Sequence, residues 1–122
     1  MDFCSDFRHD LKIGQLAEKA LADIIENKTV EVKNDLKASK TGNLFIEYYS
    51  RGKPSGISTT QADYWCFVID DIYILIATEK LKEMLRPLYN TSSDIKGGDN
   101  NTSSGILLPI IKLFKRRNKW LK

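Results

Sequence analysis

Charged residues alternate along one short segment of this chain, EVKND at residues 31–35, where Glu31, Lys33 and Asp35 occupy every second position. Alternate side chains of a β-strand point to one face and lie about 7 Å apart, so these three converge on a small volume. Carboxylates beside a lysine suit a site that binds a divalent metal ion and hydrolyses a phosphodiester. Mg²⁺ takes oxygen ligands and keeps several waters, so two or three carboxylates are enough to hold it against a phosphate.

Each residue type has a distinct part in such chemistry. A bound metal ion polarises the phosphoryl oxygen and lowers the pKa of the water that attacks in line, while a lysine stabilises charge or orients that water. Glu47 adds a further acid from the following strand, and Tyr49 flanks it. A plain alternative is that the alternating charges keep an edge strand soluble, and strand spacing by itself favours this alternative.

The segments around these residues predict a helix followed by a β-hairpin. From Asp10 onward apolar residues recur at the spacing of one helix face, and Glu18 lies at the flank of that stripe. Residues 28–35 then change to period two and β-branched side chains, which indicates a strand. A Gly-Asn turn signal precedes LFIEYYS at residues 44–50, so we expect the two strands to pair in antiparallel fashion. This pairing would bring Glu47 into the same sheet as the first strand.

The rest of the chain predicts further strands and helices. The spacing S-x-x-Q at residues 58–61 is typical of a capping box and predicts a short helix. Residues 65–78 indicate two strands around an Asp-Asp turn, each apolar enough to be buried on both faces, and a helix capped by Thr78 follows. Residues 90–105 are polar and predict a mobile loop, and a short strand and a helix starting at Pro109 come after it.

This order of elements predicts an α/β fold of the mixed α+β type, with a small central mixed β-sheet flanked by α-helices. At 122 residues the chain suits one domain, residues 1–122. No stretch is long and apolar enough for a membrane span, and the N-terminus lacks the basic-then-apolar order of a signal peptide. We therefore expect a cytoplasmic protein that does not bind a membrane.

Charge is unevenly distributed along the chain. The net charge is +3, yet residues 112–122 hold basic side chains and no acid, so the remainder is mildly acidic. A basic C-terminal segment, residues 109–122, favours an anionic partner met at one place, and a solvated terminal helix explains it equally well. The basic residues of this segment are Lys112, Lys115, Arg116, Arg117, Lys119 and Lys122.

The chain also resembles a known group of enzymes. An acid on the first helix followed by an E-x-K strand is similar to the PD-(D/E)XK nuclease superfamily, which includes restriction enzymes, archaeal Holliday-junction resolvases and some homing endonucleases. More closely, TVEVKND, TGNLFIEYYSRGKPSGISTTQADYW and KGGDNNTSSGILLP look like a family of small phage-borne and bacterial proteins of that superfamily, over about residues 11–111. The resemblance implies a restriction-endonuclease-like core and metal-dependent cleavage of DNA. It also implies Mg²⁺ as cofactor, with Mn²⁺ as a substitute, and the host-cell cytoplasm for a phage-encoded protein.

Two ways of carrying the superfamily's site residues onto this sequence remain open. In the first, Glu31 and Lys33 form the E-x-K element, and the upstream acid is Glu18 or Asp23. Asp23, however, falls within the helical pattern of the first helix, whereas the superfamily places its first acid on a strand.

In the second mapping, Asp35 is the first acid and Glu47, twelve positions later, is the second. Tyr49 then stands where a lysine is usual, and Lys33 on the adjoining strand substitutes for it. We prefer this mapping for the metal ligands because hairpin order and spacing both agree with it. Lys33 serves in either mapping, and Glu31 remains a ligand or a support.

Contacts with DNA are expected from two places. Arg51 and Lys53 lie in a glycine-containing loop that suits phosphate contacts, although a purely structural turn is equally consistent. The basic C-terminal segment is the second place, and its Phe114 and Trp120 offer an interface for the homodimer that cutting both strands would require. A nucleic-acid-binding accessory protein that keeps the nuclease fold without cutting is the alternative, supported by Tyr49. An RNA-directed enzyme also remains open.

Overall fold

The structure is a computed structural model that describes residues 3–114. Three α-helices lie within this range: α1 (Phe3–Asn27), α2 (Ala38–Thr41) and α3 (Thr78–Leu85). The strands are β1 (Val30–Asn34), β2 (Asn43–Ser50), β3 (Lys53–Pro54), β4 (Tyr64–Ile69), β5 (Ile72–Ala77), β6 (Asp94–Gly97) and β7 (Ser103–Pro109). Short 3₁₀ helices occupy Gly56–Ser58, Arg86–Leu88, Asp99–Asn101 and Ile110–Phe114.

The strands divide between two sheets. One sheet has the order β1-β4-β5, with β1 parallel to β4 and β4 antiparallel to β5. The other has the order β3-β2-β7-β6, and all its pairs are antiparallel. The predicted mixed α+β class is confirmed.

The core lies between the inner faces of the two sheets and α3. Alternate residues of β2, β4 and β7 point inward, as period-two burial requires, and α3 contributes leucines one turn apart. Burying each such side chain stabilises the fold by about 1.5–3 kcal/mol relative to leaving it in water. The largest fully buried side chains are Trp65, Phe67, Leu44, Ile46, Leu81, Leu85, Ile106 and Leu108.

The expected hairpin between the two charged-face strands is wrong. β1 pairs with β4, so that Glu31 lies opposite Trp65 and Lys33 opposite Phe67, while β2 pairs with β7 and β3 in the other sheet. The physical reason lies in the link between β1 and β2, which contains the helical turn α2. A hairpin needs a connection of a few residues, whereas this helical turn directs the chain away from β1.

Two other predicted elements differ in the structure. The capping-box helix at residues 58–61 is wrong, because Ser58 ends a 3₁₀ helix and the Thr60 hydroxyl instead accepts from the N–H of Ala62 and donates to Glu31. The polar stretch at residues 90–105 is only partly a loop, because it contains β6 and the start of β7. β-Ladder pairing with β7 explains why a polar sequence forms a strand there.

The predicted strands around the Asp-Asp turn and the helix after them are confirmed as β4, β5 and α3. β5 is not buried on both faces, since Ile72 and Tyr73 are 61% and 72% exposed on an edge strand. Thr78 is the first residue of α3 rather than its cap, and its hydroxyl donates to the carbonyl of Ala62. After β7 the chain forms a 3₁₀ helix at Ile110–Phe114, where the sequence predicted an α-helix starting at Pro109. The rest of that predicted helix lies outside the described residues.

Helix α1 begins before Asp10, where the sequence pattern placed its start. Between Arg8 and Asn27 only Ile24 is half-buried, and the other side chains are exposed. The apolar stripe is therefore open, with Leu16 58% and Leu21 49% exposed. Within residues 3–114 no helix has the length and apolar character needed to cross a membrane.

Candidate active site

An open groove of about 650 Å³ lies where β1 ends beside the outer face of the β3-β2-β7-β6 sheet. Lys33 and Asp35, two of the predicted catalytic residues, both line it. Its other polar lining residues are Asn34, Lys37, Thr41, Asn43, Lys96 and Asn101, and its main apolar ones are Phe45, Phe67, Ile95 and Leu107. The groove therefore combines polar walls with an apolar floor.

The charges of the groove favour an anionic ligand. Three lysines, Lys33, Lys37 and Lys96, face a single carboxylate, that of Asp35. A concave surface with an excess of one charge concentrates ligands of the opposite charge. The asparagine amides add donors and acceptors without changing the net charge.

Asp35 ties together the elements that form the groove. Its Oδ2 accepts a hydrogen bond of 3.1 Å from the backbone N–H of Phe45 in β2. Its Oδ1 accepts one of 3.2 Å from the N–H of Lys37 at the start of α2. Each carboxylate oxygen has a second lone pair, so Asp35 can still accept from a ligand or coordinate an ion.

Lys33 is held in place by an acid and an aromatic ring. Its Nζ lies 2.8 Å from Oε2 of Glu31 and 5.3 Å from the centre of the Trp65 ring. Oε1 of Glu31 accepts a 2.8 Å hydrogen bond from the Thr60 hydroxyl. Burial raises the pKa of Glu31, but hydrogen bonds from Lys33 and Thr60 and the charge of Lys33 outweigh burial and leave the pKa below its ordinary value. Glu31 is therefore an anion that positions the Lys33 ammonium.

Glu47 lies beside the groove rather than in its lining. Its Oε2 accepts a 2.9 Å hydrogen bond from the Ser55 hydroxyl, and Gly56 packs against its backbone carbonyl. Phe45 and Glu47 are alternate residues of β2, so they share a face and lie about 7 Å apart. The N–H that holds Asp35 thus belongs to the residue two positions before Glu47.

The Phe45 ring packs against two glycines of the sheet. A Cβ built at Gly105 would lie 2.5 Å from Cζ of Phe45, and one built at Gly97 would lie 2.9 Å from the same atom. Both glycines belong to neighbouring strands, β7 and β6. The ring therefore rests against backbone that only glycine leaves uncovered, and it forms part of the groove floor.

The remaining predicted site residues lie apart from the groove. Glu18 is exposed on α1. Arg51 is in the two-residue turn between β2 and β3, Lys53 is in β3, and Lys112 is in the last 3₁₀ helix, all of them exposed. The other basic residues named above, Lys115, Arg116, Arg117, Lys119 and Lys122, are outside the described residues.

The described carboxylates do not form an enclosed metal site. Among the described residues no three His, Cys, Asp or Glu side chains lie close enough together to hold a metal ion. Mg²⁺ commonly uses one or two carboxylates, several waters and the phosphates of its substrate. Asp35, whose two oxygens each keep a lone pair, fits that smaller set as one carboxylate, whereas Glu47 belongs to β2 in the other sheet and is not among the residues that line the groove.

Sequence reasoning missed Phe45, Lys37 and Lys96 as members of the site. The signal for Phe45 was the pair of glycines at residues 97 and 105, which only the β2-β7-β6 register brings under its ring. Comparison of this chain with protein-family models, with curated proteins and with solved structures found no match. The residues of the groove therefore carry the functional conclusion.

Proposed function

We propose that this chain is a metal-dependent DNA endonuclease that hydrolyses a phosphodiester bond held in the groove at the end of β1. One observation carries the proposal. Lys33 and Asp35 line a groove with an excess of lysines, and the Asp35 carboxylate is fixed to β2 two residues before Glu47. A carboxylate and several lysine side chains that can attract a phosphate thus occur in one groove.

Asp35 and Glu47 are the proposed ligands of one Mg²⁺ ion, for which Mn²⁺ substitutes. When bound, such an ion polarises the phosphoryl oxygen and supplies a water nucleophile near neutral pH. Asp35 is the better placed of the two, because its carboxylate already faces the groove. Glu47 is two residues beyond Phe45 in β2, and its carboxylate accepts a hydrogen bond from Ser55.

Lys33 is the proposed charge-stabilising residue. Lys33 lines the groove and its ammonium donates to Glu31, so in this proposal the ammonium is held close to where a phosphate oxygen would bind. A fixed cation at the place where negative charge develops lowers the barrier more than the same cation in water would. Glu31 acts through Lys33 and is a positioning residue in this scheme.

The resemblance to the PD-(D/E)XK superfamily supports the same residues. Of its two mappings, the one with Asp35 and Glu47 is favoured here, because Phe45 N–H joins Asp35 to the strand that carries Glu47. A restriction-endonuclease-like core is part of the proposal. So are phosphate contacts from Arg51, Lys53 and the basic C-terminal segment, and the second copy needed to cut both strands.

Nicking of supercoiled plasmid DNA tests the proposal. We expect nicking with Mg²⁺ or Mn²⁺ and none in EDTA. Lys33→Ala should lower the rate about 100-fold or more. Lys80→Ala is the matched control, because Lys80 is an exposed lysine on α3 whose only ion pair within residues 3–114 is a 3.9 Å contact with Glu83. No metal-dependent nicking of any DNA form, or equal rates for wild type and Lys33→Ala, would contradict the proposal.

A nucleic-acid-binding protein without nuclease activity is the second candidate. It is favoured by the engagement of both Asp35 oxygens with backbone N–H groups and by the lack of a three-ligand metal group in residues 3–114. DNA binding that persists in EDTA, with no nicking under any metal condition, would select this candidate. Competition between DNA and RNA of one sequence would test an RNA substrate for either candidate.

A further inference from the structure

We infer that the groove accepts an unpaired nucleobase of a DNA strand, stacked on Phe45, with the neighbouring phosphates held by Lys37 and Lys96. The inference rests on the proposed function for the class of ligand, DNA, and it adds the state of that DNA. A base must be free of its partner to enter. The preferred substrate is therefore single-stranded, bulged or otherwise distorted at the site.

The apolar floor is the first step in this inference. Phe45, Phe67, Ile95 and Leu107 all contribute to a groove whose walls are lysine and asparagine. A phosphate needs only the polar walls, because apolar carbon offers it no hydrogen bond. A volume of about 650 Å³ is in the range of sites that take whole organic ligands. A planar base linked to phosphates matches both parts of the groove.

The packing of the Phe45 ring against two glycines is the second step. Glycines 97 and 105 lie in adjacent strands, and a Cβ on either one would come within 3 Å of the ring. Their combined effect is to let an aromatic ring lie against the sheet at this point. Stacking on an aromatic ring is sequence-tolerant, because every base has a π-face.

The polar rim is the third step. Asn34, Asn43 and Asn101 line the groove, and each amide can donate and accept hydrogen bonds at a base edge. Lys37, directly before α2, and Lys96 of β6 both line the groove, so two separate elements supply it with cations. Cations that follow a backbone beside a stacking ring are typical of single-strand recognition.

Paired DNA does not meet these requirements. In a duplex the two faces of each base are covered by its neighbours, and proteins that need a base must first take it out of the stack. A duplex could reach the lysines through its phosphates but could not use the Phe45 ring. A preference for unpaired DNA therefore separates this site from a simple phosphate-binding surface.

Binding of three labelled DNAs, measured by fluorescence anisotropy in EDTA, tests the inference. The first is a fully paired duplex, the second is the same duplex with one extra unpaired thymidine, and the third carries an abasic residue in place of that thymidine. We expect the thymidine bulge to bind about tenfold more tightly than either of the others. The abasic bulge controls for the bent backbone, so only the base can explain a difference between the two bulged duplexes.

Variants assign the preference to the groove. Phe45→Leu should remove the difference between the thymidine and abasic bulges, whereas Phe45→Tyr should retain it. Lys96→Ala should weaken binding of all three DNAs, and Lys80→Ala should weaken none. Thermal melting of each variant checks that it folds, and the comparison of bulges on the wild-type protein stands even if Phe45→Leu does not fold.

Equal affinity for the thymidine and abasic bulges would overturn the inference. Because EDTA prevents metal-dependent cleavage, this result is independent of the nicking assay. Nicking without a bulge preference would leave the proposed function intact and remove the base site. A bulge preference without nicking would support the base site and contradict the proposed nuclease function.

Discussion

The backbone N–H of Phe45 donates a 3.1 Å hydrogen bond to Oδ2 of Asp35, which joins the end of β1 to a strand with which β1 does not pair. The other oxygen of the same carboxylate accepts from the N–H of Lys37. A single side chain thus connects the two sheets and fixes the turn between them. The groove lies at this connection, so its geometry depends on Asp35.

Asp35→Ala should lower the free energy of unfolding by about 1–3 kcal/mol, because it removes the acceptor of two backbone N–H groups. Asp35→Asn should cost less, since its one carbonyl oxygen can still accept one of these bonds. Urea unfolding measures both, with the m-value expected to stay constant. Asp71→Ala, an exposed acid between β4 and β5, is the control and should change little. Equal midpoints for wild type and Asp35→Ala would show that the two hydrogen bonds accepted by Asp35 contribute no stability.

Gly56→Ala should destabilise the protein strongly. A Cβ at Gly56 would lie 2.2 Å from the carbonyl oxygen of Glu47, and its φ of +53° is already unfavourable for residues with a side chain. Gly52→Ala separates the two causes, because Gly52 has a φ of +85° with open space around it. We expect about 1–2 kcal/mol for Gly52→Ala from backbone strain and a clearly larger loss for Gly56→Ala, both measured by urea unfolding. Equal losses of unfolding free energy would mean that the loop around Gly56 moves and relieves the steric clash.

Local patterns predicted much of the fold and only part of the site. The apolar runs of β4 and β5 and the helical stripe of α3 are periodic enough to be identified without tertiary information. The partner of β1 was not predictable in this way. Its pairing with β4 depends on residues more than thirty positions away, and the nearer β2 was the natural expectation from turn signals.

The site divides in the same manner. Lys33 and Asp35 stand out because alternating charge is visible in the sequence of one strand. Phe45 and Lys96 reach the groove only through the β2-β7-β6 register, and Lys96 lies in a stretch that composition alone predicts to be a loop. Glu18 has the right residue type but lies on a helix whose side chains between Arg8 and Asn27 are exposed, except that of Ile24. Residue type was readable from the sequence, and proximity was not.

Leu21→Ala and Leu81→Ala compare two helical leucines with opposite surroundings. Leu21 is 49% exposed on α1, whereas Leu81 is 0% exposed on α3. Leu81→Ala should cost about 2–5 kcal/mol of unfolding free energy, because it leaves a cavity in the core. Leu21→Ala should cost less than about 0.5 kcal/mol, as exposed substitutions usually do. If chemical denaturation gives similar losses, the α1 stripe is covered in solution.

Acid should weaken the contact between Thr29, which precedes β1, and Asp63, which precedes β4. Hydrogen bonds from the backbone and hydroxyl of Thr29 hold the pKa of Asp63 below its ordinary value. A carboxyl with a lower pKa in the folded state contributes full stability above its unfolded pKa, and this is lost as pH falls through the folded value. The urea midpoint of wild type should therefore fall more between pH 5 and pH 3 than that of Asp63→Asn, whose amide does not titrate. Parallel pH profiles would contradict this assignment.

Gly105→Ala and Phe45→Leu should be energetically coupled. A Cβ at Gly105 would displace the Phe45 ring and would also lie 2.9 Å from the carbonyl oxygen of Ile46. We expect Gly105→Ala to cost about 1–3 kcal/mol in the wild-type background, as overpacking does. It should cost less in the Phe45→Leu background, because the smaller side chain leaves room and only the Ile46 contact remains. A double-mutant cycle from urea unfolding of the four proteins should give a coupling of about 0.5–3 kcal/mol, whereas additive losses would show that the ring does not rest on Gly105.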